Sequence, residues 1–295
     1  MPRGVPKSGF RNRASKPDKI AKIVNVSRTS PAAQDFFNNT ETDAEIEAKL
    51  ADRFEILASM TEAAICGDVR ALIVSGPAGL GKSYTVEKAL EAWDPNGTSH
   101  STVKGYVRAP GLYKLLYQHR GSGQVLVFDD ADTIFFDDTS VNLLKAVCDS
   151  TDRRVVSYIT EGSLIDEETA ERLPKSFQFD GTIIFISNMD FDAMIDRGHK
   201  LAPHLQALVS RSHYIDLAMK SSRDYLIRIR QVVRDGLLRN IGLDGDGQAD
   251  VMTFIETNHN KLRELSLRMA LKIGVIRRRG ASNWKKVAMV TTCRN

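Results

Sequence analysis

Cysteine is scarce in this sequence: Cys66, Cys148 and Cys293 are its three cysteines, and no two of them have a paired spacing. We therefore expect neither a disulfide framework nor a cysteine-ligated zinc site, and this usage fits a reducing, cytoplasmic location. No apolar run approaches the roughly 18 to 20 residues of a membrane-spanning helix, so we expect no membrane partner. With 42% hydrophobic and 26% charged residues, the composition is that of a globular protein with a buried core.

Acidic residues are almost missing from both ends of the chain. Residues 1–34 contain eight basic residues and one acid, and residues 270–295 contain seven basic residues and no acid. Because the net charge of the whole chain is only +4, the middle is acidic. Basic ends on an acidic body are suited to contact nucleic acid or another acidic surface, and they are equally typical of solvated tails.

Short apolar runs alternate with helical patterns over the first two thirds of the chain. The runs predict strands at residues 71–75, 102–107, 124–130, 154–160, 181–187 and 213–217. Apolar strands that alternate with helices form a parallel sheet covered on both faces. The predicted fold class is therefore α/β, a parallel sheet sandwiched by helices.

The strand pattern stops after residue 217, and helical periodicity follows at residues 222–239 and 261–273. The sequence thus predicts a flexible basic tail over residues 1–40, an α/β core over 41–217, a small helical lid over 218–275 and a basic tail over 276–295.

The first predicted strand runs into the sequence SGPAGLGKSYTVEKAL, residues 75–90, which has the spacing G-x-x-x-x-G-K-[ST] of a phosphate-binding loop. Glycines there let backbone N–H groups point at phosphate oxygens, and the following helix adds its positive end. Lys82 is expected to reach the β- and γ-phosphates and Ser83 to ligate Mg²⁺. The residues expected to bind the nucleotide are Gly76, Pro77, Ala78, Gly79, Leu80, Gly81, Lys82, Ser83 and Tyr84.

The strand VLVFDD ends in two acids, Asp129 and Asp130. Asp129 is placed to hold Mg²⁺, and Asp130 is placed to act as a general base that orients an attacking water. The alternative is that these acids cap the next helix together with Asp132.

Three more polar residues stand where a nucleotide site needs them. Asn188 ends the apolar run of residues 181–187 and can hydrogen-bond a γ-phosphate or the attacking water. Arg211 precedes the last predicted strand, where it either pairs with a surface acid or serves a neighbouring subunit as an arginine finger. Arg263 and Arg268, five residues apart on the second predicted lid helix, point in different directions, so one of them can reach the γ-phosphate.

In this order, over residues 43–273, the pieces resemble the AAA+ ATPases. Residues 76–83 match the Walker A motif, residues 125–130 match Walker B, and Asn188 matches sensor 1. The pair Ser210-Arg211 is similar to the arginine-finger motif of clamp-loader subunits. Leu-Arg-Glu-Leu at residues 262–265 resembles a sensor 2 stretch and singles out Arg263. A short AAA+ chain with basic tails also resembles those carried by bacteriophages.

The resemblance implies an oligomeric ATPase, a homo-oligomeric ring such as a hexamer, that uses ATP and Mg²⁺ to remodel a nucleic-acid or protein assembly. Asp130 stands where the family usually has glutamate, and its shorter side chain implies slow turnover. That departure keeps open a nucleotide-gated binding module with little hydrolysis. A P-loop small-molecule kinase is the third candidate, although no arginine-rich lid over an acceptor pocket is evident.

Two groups of aromatic residues have alternative interpretations. AAA+ rings that thread a polymer often carry an aromatic residue after the second strand, where this chain has Tyr106. The alternative is that the stretch GLYKLLY, which follows, is an amphipathic helix that packs Leu and Tyr on the sheet. Trp284, among the basic residues 277–286, either stacks on a base or anchors the C-terminal segment to the lid.

Overall fold

The computed structural model describes residues 41–162, 164–165, 170–219 and 221–294. The tail predicted over residues 1–40 lies outside the described residues. Within them, none of the helices has both the length and the apolar character to cross a membrane.

The first described element is helix α1, Asp43–Ile65. Thr42 and Glu45 form a capping box at its start, which satisfies backbone N–H groups that have no partner inside the helix. Residues spaced three and four apart bury one side of the helix, among them Ile46, Leu50 and Leu57. This stripe packs α1 on the sheet.

Five parallel strands form the sheet that positions the site. The strands are β1 Ala71–Ser75, β2 His100–Lys104, β3 Val125–Asp129, β6 Thr182–Ser187 and β7 His213–Asp216. Their order is β2-β3-β6-β1-β7, and every neighbouring pair is parallel. The three central strands, β3, β6 and β1, are buried along their whole length, which is why they read as continuous apolar runs.

Helices cover both faces of this sheet, as the sequence predicts. They are α2 Lys82–Trp93, α3 Ala109–Gln118, α4 Asp138–Val147, α5 Phe191–Asp196 and α6 Ala202–Val209. One hydrophobic core joins α1 and α2 to one face, and the other joins α3 to α6 to the opposite face. The prediction of a helix-sandwiched parallel sheet is confirmed.

The predicted strand at residues 154–160 does not belong to this sheet. Strand β4, Val155–Ser157, pairs antiparallel with β5, Ser176–Gln178, in a separate two-stranded sheet. In both strands only the middle residue is buried, so one face is exposed, whereas a central parallel strand is buried on both faces. Strand β5 was not predicted from the sequence, because its single buried residue leaves only a weak pattern.

Four helices form the C-terminal part: α7 Ser222–Arg234, α8 Gly245–Asn258, α9 Leu267–Arg278 and α10 Trp284–Thr292. Here the expectation of a tail from residue 276 needs correction, because α10 packs into the same core as α8 and α9. Trp284 is 7% exposed and lies 5.7 Å from the Phe254 ring, so it anchors α10 to the lid. Its indole is not available to stack on a base.

Candidate nucleotide site

The phosphate loop joins the end of β1 to the start of α2, as its motif predicts. Gly76, Gly79 and Gly81 have φ angles of 147°, 75° and 100°, which residues with a Cβ rarely adopt. A Cβ on Gly76 would also lie 3.0 Å from the Leu217 Cβ. Glycine is therefore required for the loop to turn at these three positions, and at Gly76 also for it to fit beside Leu217.

Lys82 lies at the centre of the loop. Its Nζ donates to the carbonyl oxygens of Gly76 and Pro77, at 2.6 and 2.9 Å, and to Oδ1 of Asn188 at 2.9 Å. Burial lowers the pKa of Lys82 to about 8, although Asp130 and Asp129 partly oppose the shift. A lysine held by neutral carbonyl groups in a buried site is poised to exchange them for an anion.

Ser83 and Asp129 stand side by side, because α2 begins where β3 ends at the same edge of the sheet. The Ser83 hydroxyl donates to Oδ1 of Asp129 at 2.8 Å. Asp129 is 4% exposed, and its other oxygen, Oδ2, lies 3.1 Å from Nζ of Lys104 at the end of β2. Lys104 also binds Glu87, at 2.7 Å, so it neutralises two carboxylates beside the loop.

Asn188 links Lys82 to Asp130. Its side-chain amide donates to Oδ1 of Asp130 at 2.6 Å while its carbonyl oxygen accepts from Lys82. Asp130 has a φ of 55°, uncommon for a residue other than glycine. The alternative role of these acids, capping the next helix, is not seen: the short 3₁₀ helix Asp132–Phe135 has no side-chain cap.

A cavity of about 610 Å³ opens between the phosphate loop and the lid. Of the nine residues predicted to bind nucleotide, Ala78, Gly79, Gly81, Lys82, Ser83 and Tyr84 line it, together with Asp130 and Asn188. Gly76, Pro77 and Leu80 do not line it; Leu80 instead points into the core.

The lid contributes Arg268 to this cavity, and the choice of Arg263 needs correction. Both arginines were expected on one helix over residues 261–273, but α9 begins only at Leu267. Arg263 precedes the helix in a segment that is bonded to the end of α10: its backbone N–H donates to the carbonyl oxygen of Thr292 at 3.0 Å. Arg268, in the first turn of α9, lines the cavity together with residues of the phosphate loop.

Arg211 lies apart from the cavity of its own chain. It precedes β7, whose first residue, His213, is in register with Leu72 near the start of β1, whereas the phosphate loop follows the other end of β1. Arg211 and the phosphate loop are therefore separated by the length of a strand, roughly 15 Å. Arg211 donates to the carbonyl oxygen of Ala207 and lies 3.7 Å from Asp149, a weak, partly exposed ion pair.

The segment after β2 contains one exposed and one buried tyrosine, Tyr106 and Tyr113. Tyr106 is 68% exposed, and its hydroxyl accepts a hydrogen bond from Nε of Arg108 at 3.0 Å. Tyr113 and Leu112 are buried in α3, as the amphipathic interpretation requires. Tyr106 is therefore the exposed tyrosine of this stretch, whereas Tyr113 is buried and Tyr117 is half-buried.

Two residues at this site, Lys104 and Arg228, were not predicted from the sequence. Lys104 ends a strand opposite Asp129 in the register of β2 and β3, so a correct strand alignment would have found it. Arg228, on α7, lines the cavity but belongs to no motif. Arg228 differs from the other arginines of α7 in being buried, and no local sequence pattern predicts that burial.

A Walker A loop, an acidic strand end, a polar residue at the tip of β6 and a helical lid over the cavity define a P-loop protein of the AAA+ class. The chain is 36% identical over 250 residues to the uncharacterized 36.7 kDa protein of the nrdC-mobD intergenic region of Enterobacteria phage T4, with 84% of this chain and 76% of that protein aligned. It belongs to the family of that phage protein, in agreement with the resemblance to bacteriophage proteins. No family model matches the chain.

Among solved structures, the chain is similar to a RuvB mutant of Thermotoga maritima, with 13% identity and a TM-score of 0.46 over 83% of this chain and 69% of that one. It is also similar to NtrX of Brucella abortus in complex with ATP, with 15% identity and a TM-score of 0.40 over 87% of this chain and 51% of NtrX. ORC2 of Aeropyrum pernix matches with 12% identity and a TM-score of 0.42, over 82% and 68% of the two chains.

Proposed function

We propose that this protein binds and hydrolyses ATP as a homo-oligomer and couples hydrolysis to the remodelling of a nucleic-acid or protein assembly. The observation that carries the proposal is the pair of Ser83 and Asp129, whose side-chain oxygens lie 2.8 Å apart beside the phosphate loop. A hydroxyl and a carboxylate at this position are the oxygen ligands that Mg²⁺ uses together with nucleotide phosphates.

The donor set fits magnesium, which when bound would neutralise phosphate charge. Ser83 and Asp129 would hold the ion. Lys104 lies 3.1 Å from Asp129 and balances its charge in the absence of metal. Loop N–H groups and the start of α2 would bind the phosphate oxygens.

Asp130 and Asn188 would act on the attacking water. Their side chains are joined by a 2.6 Å hydrogen bond, so the carboxylate and the amide are held as one unit beside Lys82. The carboxylate accepts a proton from water, and the amide orients the water or the γ-phosphate. Arg268 would stabilise phosphate charge from the lid, where it lines the same cavity.

Arg211 supports an oligomeric site. Within one chain it lies at the opposite edge of the sheet from the phosphate loop, so any contact with nucleotide must be made to the site of another copy. Its guanidinium would stabilise the charge that grows on the phosphoryl oxygens. A ring, such as a hexamer, repeats this contact around its axis.

Mixing two inactive variants tests the shared site. Lys82→Ala removes nucleotide binding in its own site, and Arg211→Ala removes the finger for the next site, so neither variant alone should release phosphate. A mixture should regain activity, because some interfaces pair an intact loop with an intact arginine. Asp149→Ala is the matched control: it removes the ion-pair partner of Arg211 and should leave hydrolysis intact.

Other results would redirect the assignment. Hydrolysis by Arg211→Ala at the wild-type rate would end the finger role. ATP binding without phosphate release at any protein concentration would favour the nucleotide-gated module, and a phosphorylated acceptor would favour a kinase.

The proposed nucleic-acid contact uses the basic residues of the lid. In the run at residues 277–279, Arg277 pairs with Asp250 and Arg278 donates to the carbonyl oxygen of Ile241, so both are engaged with the lid itself. Arg279, Lys285 and Lys286 are exposed. We expect weak, strongly salt-dependent binding of single-stranded or duplex DNA through these three, to be measured by titration at 50 and 200 mM salt. DNA-independent ATPase activity with no DNA binding would favour a protein substrate.

A further inference from the structure

Helix α7 carries four arginines, and three of them have acidic partners. Arg223 lies 2.6 Å from Asp43, Arg230 lies 2.7 Å from Glu256, and Arg234 pairs with Glu47. Arg228 makes no ion pair with any described residue. The arginine without an acidic partner is also the most buried of the four.

Arg228 is 8% exposed. Its guanidinium lies over the Phe54 ring, 3.4 Å from the ring centre, and one terminal nitrogen donates to Oε1 of Gln231 at 2.7 Å. Its Nε is buried and has no hydrogen-bond partner among the described residues. Burial without a close carboxylate lowers the pKa of Arg228 to about 10. A buried cation held only by an aromatic ring and an amide is an unfavourable arrangement that an anion would relieve.

This guanidinium faces the phosphate loop. Arg228 lines the same cavity as Lys82 and Arg268. A Cβ built on Gly81, in the loop itself, would lie 3.8 Å from Nη2 of Arg228. Four cationic side chains, Lys82, Lys88, Arg228 and Arg268, therefore line one cavity with two acids, Asp130 and Asp235, and this excess of positive charge favours an anion.

We propose that Arg228 is a phosphate-binding residue, which contacts the phosphate chain of the bound nucleotide from the lid side. This inference rests on the proposed nucleotide-binding function and adds a ligand that no motif in the sequence indicates. A guanidinium has only donors and matches the paired oxygens of a phosphate, whereas a neutral base or ribose would leave its charge unpaired. The Phe54 ring fixes the plane of the guanidinium, so little side-chain freedom is lost on binding.

Arg228→Met gives opposite results for a ligand role and for a structural role. Methionine keeps an apolar stem against Phe54 and removes the buried charge, so the thermal midpoint of the nucleotide-free protein should not fall. Affinity for ADP, measured by calorimetry, should weaken about tenfold or more, the loss expected for a charge-assisted hydrogen bond. A lower midpoint together with unchanged ADP affinity would make Arg228 structural and overturn the proposal.

Arg230→Met, two residues along the same helix, is the matched control, because it breaks the ion pairs with Asp43 and Glu256, outside the cavity, and should leave ADP affinity unchanged. Competition with pyrophosphate and adenosine locates the contact: Arg228→Met should weaken pyrophosphate and leave adenosine unaffected, and equal loss for both would overturn the assignment. If Arg228→Met folds poorly, Arg228→Lys takes its place in the test. This variant keeps a charge and a long stem and should retain part of the ADP affinity. Failure of the wild-type protein to bind ADP would instead reject the proposed function itself.

Discussion

The backbone N–H of Leu267 donates to the carbonyl oxygen of Gly79 at 2.8 Å, so the first turn of α9 is bonded directly to the phosphate loop. Ser266 caps that turn through a 3.0 Å hydrogen bond from the N–H of Met269. Arg268 follows at once, and its position in the cavity depends on this junction. The lid and the loop are thus coupled by backbone contacts before any ligand binds.

Gly79→Ala should separate the lid from the loop. An added Cβ would lie 2.6 Å from the Ser266 Cβ, and the φ of Gly79 is 75°. We expect a loss of about 2–4 kcal/mol in the free energy of unfolding, from backbone strain and overlap together, with weaker nucleotide binding. Denaturant titration measures the first quantity and calorimetry the second.

Gly97→Ala separates these two causes. Its φ of 65° imposes similar backbone strain, but a Cβ there would meet nothing within 4 Å. It should cost only about 1 kcal/mol and leave nucleotide affinity unchanged. Equal effects of the two substitutions would show that the contact with Ser266 contributes nothing.

The lowered pKa of Lys82 predicts a pH dependence of nucleotide binding. Contact with phosphate favours the charged lysine, so above pH 8, where burial has begun to deprotonate it, binding requires proton uptake. Affinity for ADP should therefore fall as the pH rises through about 8, with a limiting slope of about tenfold per pH unit. Calorimetry from pH 7 to 9.5 measures this, and a flat profile would contradict the shift.

The stability of the nucleotide-free protein should change in the opposite sense. Between pH 8 and 10.5 the unfolded lysine keeps a proton that the folded one has lost, so the wild type gains stability over this range relative to Lys82→Met. The variant should be the more stable protein at pH 7, and the difference in midpoint should close as the pH approaches 10.5. A constant difference would mean that Lys82 stays charged.

Removing either proposed metal ligand should weaken the effect of magnesium on ATP binding. Ser83→Ala and Asp129→Asn each delete one oxygen ligand of the pair, and we expect Mg²⁺ affinity, measured in the presence of ATP, to fall about tenfold or more. Binding of ADP in EDTA should persist, because the loop is retained. Thr85→Ala is the control: its hydroxyl lies on the same helix and donates to Gly81, away from Asp129. Undiminished magnesium dependence in both ligand variants would move the metal site elsewhere.

Most of the phosphate site was predictable from the sequence, because its parts depend on local chain geometry. The glycines around Lys82 adopt φ angles that other residues rarely adopt. Asp129 ends one buried strand and Asn188 follows another, and the apolar runs of the sequence predict both strands. In a parallel sheet the carboxyl ends of such strands meet at one edge, so the contacts of Lys82 with Asn188 and of Ser83 with Asp129 follow once the strands are aligned.

The lid was predicted less well, because its site residues are chosen by packing between distant segments. Arg263 and Arg268 are equivalent in the helical pattern, and only the start of α9 at Leu267 decides between them. Arg228 differs from the other arginines of α7 solely in what lies around it. The exposed strands β4 and β5 likewise carry too few buried residues to define a period.

Trp284 and the lysines that follow it should have separable roles. Trp284→Ala removes a buried indole from contact with Phe254 and should cost about 3–5 kcal/mol in the free energy of unfolding of the lid. Replacing both Lys285 and Lys286 by Gln should leave that stability within about 0.5 kcal/mol, because both side chains are exposed. If the lid contacts DNA, the double variant should lower the slope of log affinity against log salt by about 2. If the wild type binds DNA and the double variant shows the same slope, the DNA contact lies on another surface and the role of α10 is structural alone.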